Sequence, residues 1–99
     1  MSYRVDMDET TRNLLRHLHP RRKQNIRESL RVLSVDPFLG KPLEEEFEGY
    51  YSCRVGNFRI VYSVDRPQKT VHVVAIGPRS FIYKDLYREL IIRRRKERH

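Results

Sequence analysis

Strands rich in aromatic and branched residues, with two amphipathic helices before them and one behind, make this chain an α+β domain. Three patterns carry that expectation. Apolar residues alternate through Tyr3, Val5 and Met7, and again on both sides of Gly56-Asn57. They recur at helical spacing between Leu14 and Leu33, and in steps of four through Ile82, Leu86 and Leu90. The elements therefore run β-α-α-β-β-β-α, with a mostly antiparallel sheet packed on an N-terminal helical hairpin. A chain of 99 residues has room for one core, so residues 1–99 are expected to form a single domain, with 92–99 as a basic tail.

The first strand spans Tyr3 to Met7, with a period of two. Asp8 suits the N-cap of the first helix, and Glu9 places an acid in its first turn. Leu14, Leu15 and Leu18 give that helix its stripe. Pro20 ends it and starts the next, whose stripe is Ile26, Leu30 and Leu33. Ser34 to Gly49 is irregular, punctuated by Pro37, Gly40, Pro42 and Gly49. Glu44, Glu45, Glu46 and Glu48 there form a solvated loop or a local counter-charge for neighbouring arginines. Tyr50–Val55 and Phe58–Val64 are strands joined by the two-residue loop Gly56-Asn57. The turn Arg66 to Lys69 leads into a third strand, Thr70–Ile76, which Gly77-Pro78 ends. Ser80 suits the cap of the last helix.

Composition excludes several classes. No apolar run approaches the roughly 20 residues of a membrane-spanning helix. Met1 to Asp6 has no apolar secretory region, so a cytoplasmic protein is expected. One cysteine, Cys53, cannot form an internal disulfide. The four histidines lack metal-ligand spacing, so no metal site is expected. The net charge of +8 suits phosphate backbones, anionic lipid or an acidic protein, and does not choose among them.

The hairpin is more informative. A two-residue loop at Gly56-Asn57 sets Val55 against Phe58, Arg54 against Arg59, Cys53 against Ile60 and Ser52 against Val61. One face then carries Tyr51, Cys53, Val55, Phe58, Ile60, Tyr62 and Val64, a core surface. The other carries Ser52, Arg54, Arg59, Val61 and Ser63, and is expected to stay open over part of its area. Opposed arginines repel, and an anionic ligand would compensate. Guanidinium forks suit phosphate. Equally, the two stems lie over the sheet with their heads in water or against Glu44 to Glu48. Beyond the third strand, Arg79 is expected to project toward this hairpin. Tyr83, in the first turn of the last helix, is either part of the same shallow site or a core-edge ring.

These residues resemble a known family. Tyr50 to Tyr62 (Tyr-Tyr-Ser-Cys-Arg-Val-Gly-Asn-Phe-Arg-Ile-Val-Tyr) is similar to the hallmark hairpin of RelE/ParE-type toxins. Gly77-Pro-Arg-Ser-Phe-Ile-Tyr83 resembles their closing motif, and Lys41-Pro-Leu43 is also similar. The resemblance runs from about Tyr3 to Leu90. It implies a RelE-like compact domain with a curved sheet, and a toxin held inactive by a cognate RelB-like antitoxin in a hetero-oligomer. The RelE-like branch implies ribosome-dependent cleavage of messenger RNA, with the ribosome and messenger RNA as partners, no membrane and no cofactor. The RNA's 2′-hydroxyl would attack the adjacent phosphate, leaving a 2′,3′-cyclic phosphate and a 5′-hydroxyl. Arg54, Arg59, Arg79 and Tyr83 are then the catalytic candidates. The guanidiniums stabilise the phosphorane, and Tyr83 is the base or a platform for a nucleotide base. Lys41, Ser52, Arg93, Arg94, Arg95 and Lys96 are candidates for RNA binding. The tail equally suits a solvated helix end whose charge complements the helix dipole. Ser52 stands where the family often has a basic residue. Two alternatives remain: a ParE-like inhibitor of gyrase, and a catalytically weak member that mainly binds RNA or its antitoxin.

Overall fold

The computed structural model describes residues 2–84 and 86–88. Strand β1 (Arg4–Met7) leads straight into helix α1 (Glu9–Arg16). Asp8 caps α1 as its sequence position requires, its Oδ1 accepting from the Thr11 N–H at 2.8 Å. Pro20 opens helix α2 (Pro20–Val35), where its missing N–H and fixed φ cost nothing. Leu15 of α1 and Ile26, Leu30 and Leu33 of α2 turn inward. A two-residue strand β2 (Lys41–Pro42) and a 3₁₀ turn at Glu45–Phe47 follow, in the stretch expected to be irregular. Strands β3 (Tyr51–Val55), β4 (Phe58–Asp65) and β5 (Thr70–Pro78) complete the sheet. The chain is helical again at 82–84 and 86–88. Leu90 and the tail residues Arg93, Arg94, Arg95 and Lys96, named above, lie outside the described residues.

The sheet order is β1-β5-β4-β3-β2, antiparallel except for the β1–β5 pair. The hairpin register is the expected one, from Val55 against Phe58 to Ser52 against Val61. Gly56 turns it with φ +59°, a sign that favours glycine, while Asn57 keeps a negative φ. Strand β5 does not stop at Ile76. It continues through Gly77 and Pro78, which pair with Arg59 and Phe58. Because β1 ends beside Val73, a proline at the far end of β5 removes no ladder bond on that side. A bulge between Val61 and Tyr62 changes the parity of β5. Val71, Val73 and Ile76 thereby reach one face, leaving Val74 and Ala75 for the other.

Two apolar clusters result. The larger lies between α1, α2 and the sheet, and joins Ile60, Tyr62, Val71, Val73 and Ile76 to the helical leucines and Ile26. All seven residues assigned to the core face of the hairpin pack there. The smaller cluster lies on the opposite face, where Ile82 and Leu86 cover Val61, with Leu43, Phe47 and Tyr50 around them. The helical segment therefore starts at Ile82, after a turn over 79–81, so Phe81 rather than Ser80 precedes it. One half of the face expected to be polar is in fact covered by this segment, because Val61 is the apolar anchor on it. Among the described residues no helix is long and apolar enough to cross a membrane.

Candidate functional site

The second face carries two cross-strand rows, which run from its exposed edge to the part covered by Ile82 and Leu86. One is Lys41–Ser52–Val61–Ala75, and the next is Arg54–Arg59–Gly77. Directly opposed residues share a face, so Lys41, Ser52, Arg54 and Arg59 all belong to this surface. The opposed arginine pair is thus present as the sequence indicated. Gly77, across from Arg59, adds no side chain: a Cβ there would meet nothing nearer than Ile82 Cβ at 4.0 Å.

Ser52 is where the surface becomes a site. Its side chain is buried, 4% exposed, in the middle of β3. Its Oγ accepts from Arg59 Nη1 at 3.3 Å and from the Tyr83 hydroxyl at 3.2 Å. A strand arginine and a helical phenol, 24 positions apart in sequence (83 − 59), therefore meet on one hydroxyl. Arg59 Nε is buried beside them with no hydrogen-bond partner among the described residues. A buried guanidinium N–H without a partner costs free energy, so this arrangement is unfavourable for stability alone.

The other candidates are placed less tightly. Arg54 is exposed and directly across from Arg59. Arg79 is exposed too, and its backbone N–H donates to the Asn57 carbonyl at 3.0 Å, tying it to the hairpin loop. Neither of these two side chains reaches Ser52. Lys41 is exposed, at the edge of the surface. Among the described residues the four glutamates, Glu44, Glu45, Glu46 and Glu48, make no ion pair with any arginine, so they act as solvated charge.

Two roles were not legible in the sequence. The 3₁₀ turn that carries those glutamates also presents Phe47, whose ring lies 5.8 Å from that of Tyr83 and 6.4 Å from that of Tyr87. Phe47 thereby walls the phenol on one side. Its signal was an aromatic residue isolated inside an acidic run. The second is Ser52, which looked like a missing basic residue and proves to be the shared acceptor. Tyr62, by contrast, ends the hairpin motif but is fully buried on the opposite face. Burial pushes its hydroxyl pKa up, against a smaller lowering by the Gly40 N–H. Burial likewise raises the Cys53 thiol.

The chain is similar to known toxins along most of its length. Residues 3–83 match the family model of the ParE toxin of the type II toxin-antitoxin system parDE. The chain is 35% identical over 86 residues to toxin RelG of Mycobacterium tuberculosis, covering 85% of this chain and 99% of that one. Among solved structures it is similar to the toxin-antitoxin complex RelBE2 of M. tuberculosis, with TM-score 0.72, 33% identity, and coverage of 80% of this chain and 100% of that chain. It is also similar to the archaeal RelE-RelB complex of Pyrococcus horikoshii, with TM-score 0.67, 25% identity, and coverage of 80% and 97% respectively.

Proposed function

The chain belongs to the RelE/ParE superfamily of type II toxin-antitoxin toxins, and from that premise we propose that it cleaves messenger RNA on the ribosome. One observation carries the reading: Arg59 and Tyr83 meet at the Ser52 hydroxyl, on the face that also carries the exposed Arg54 and Lys41. In the proposed reaction the 2′-hydroxyl of one nucleotide attacks the adjacent phosphorus. The bond to the 5′-oxygen of the next nucleotide breaks, leaving a 2′,3′-cyclic phosphate and a 5′-hydroxyl. The proton lost by the 2′-hydroxyl passes to a base, and the leaving oxygen takes up another. Arg59 grips the phosphate, with Arg54 and Arg79 neutralising the charge that develops on its oxygens. Tyr83 takes the nucleophile's proton or stacks on a base to hold the phosphate in line. Lys41 and the basic tail add affinity for RNA that falls as salt rises.

The relatives solved as complexes with RelB-type proteins support an antitoxin partner for this chain. With a net charge of +8, an acidic amphipathic helix is the complementary ligand for its basic face. The name of the matching family model favours one second reading, inhibition of gyrase in the ParE manner. That reading gives no task to the Arg59–Ser52–Tyr83 group. Primer extension on ribosome-bound messenger RNA separates the two. The proposal expects cuts that Arg59→Ala reduces by roughly 100-fold or more, with Tyr83→Phe also impaired. Intact message together with blocked DNA supercoiling would establish the other reading.

A further inference from the structure

We infer that Ser52 is a positioning residue, holding Arg59 and Tyr83 in one fixed relation. The inference rests on the nuclease reading of this site. The backbone of Ser52 is fixed on both sides, paired with Lys41 of β2 and Val61 of β4. With the side chain buried, its hydroxyl is set by the sheet rather than by solvent. A serine oxygen has two acceptor lone pairs. Here they take one donor from β4 and one from the helical segment beyond β5.

A nearby contrast shows that this is not an ordinary buried hydroxyl. Thr70 is also buried, but its Oγ1 donates to the Gln68 carbonyl two residues away and serves only its own turn. The partners of Ser52 lie 7 and 31 positions away and come from different elements. Arg59 has a long, flexible stem, and Tyr83 reaches the sheet only across the turn over 79–81. Packing on Phe47 places the Tyr83 ring, but the Ser52 hydroxyl is the contact that ties its hydroxyl to the Arg59 head. Both contacts are long for hydrogen bonds, at 3.3 and 3.2 Å.

The chemistry also says what cannot replace it. An ammonium has three donors and no acceptor, so a lysine at this position could not receive either bond and would repel Arg59. A lysine at position 52 should therefore weaken the site.

The test is single-turnover cleavage of a ribosome-bound message by the full chain, with melting temperature measured for every variant. Ser52→Ala should lower the cleavage rate constant about tenfold with apparent KM unchanged, and Ser52→Thr, which keeps the acceptor, should return it to within about twofold. In a Tyr83→Phe background, Ser52→Ala should cost only about threefold more, because half of its work is already gone. Ser52→Lys should cut more slowly than wild type. Wild-type rates in Ser52→Ala, full additivity with Tyr83→Phe, faster cleavage by Ser52→Lys, or a rate loss that follows the loss of folded protein would each overturn the inference while leaving the nuclease intact. A wild type that cuts no message overturns both.

Discussion

On the face of the sheet covered by α1 and α2, the buried phenol of Tyr62 accepts from the Gly40 N–H at 2.9 Å and stacks on Tyr51 with centroids 5.5 Å apart. On the opposite face, the phenol of Tyr83 is half-buried and shares its acceptor with Arg59, whose Nε has no partner among the described residues. The same residue type is thus used twice in one small domain. Tyr62 closes a core whose polar groups are matched, and Gly40 is glycine because a Cβ would stand 2.5 Å from the Tyr62 hydroxyl. Tyr83 borders a surface whose polar groups are left partly unmatched. Stability accounts for the first arrangement and not for the second, which supports the proposed site.

That contrast can be broken at its strongest point first. Ile26→Ala empties a fully buried position under the core face, and should lower the unfolding free energy by about 2–5 kcal/mol in urea denaturation. Any cleavage the protein has should fall only with the folded fraction. Gly40→Val should cost about 1–3 kcal/mol, because its Cβ meets both the Tyr62 hydroxyl and, at 3.0 Å, the Ser52 carbonyl oxygen. Tyr62→Phe should cost about 1–2 kcal/mol by leaving the Gly40 N–H unpaired.

The same variant tests the raised hydroxyl pKa. An acid whose pKa is higher folded than unfolded favours folding fully below its unfolded value, here the ordinary 10.0, and that contribution is lost as pH climbs through the raised one. Cys53 acts in the same direction from its ordinary 9.0. Stability of the wild type should therefore decline above pH 9–10, and less steeply in Tyr62→Phe, as read by urea midpoints against pH. The smallest expected effect has the opposite sign. Arg59→Leu removes a half-buried charge with an unpartnered N–H, and should raise the unfolding free energy by up to about 1 kcal/mol while abolishing cleavage. A clear loss of stability would mean that Arg59 is structural, and the two faces would no longer differ in kind.

Much of this molecule was readable in one dimension. Asp8 and Pro20 marked the helix starts because capping and proline chemistry act within a few residues. The loop Gly56-Asn57 fixed the hairpin register, and with it which seven residues enter the core and that Arg54 faces Arg59. These are local matters of turn geometry and a period of two. What the order of residues could not reveal was decided across distance. The bulge opposite Val61 and Tyr62 sorts β5 between two faces, and the segment from Ile82 covers half of a surface that alternation marked as polar. Phe47 comes to wall Tyr83, and Ser52 comes to join groups separated along the chain. A hydroxyl's partners depend on which strands flank it and which segment folds over it, and neither is encoded within a few residues of the serine itself.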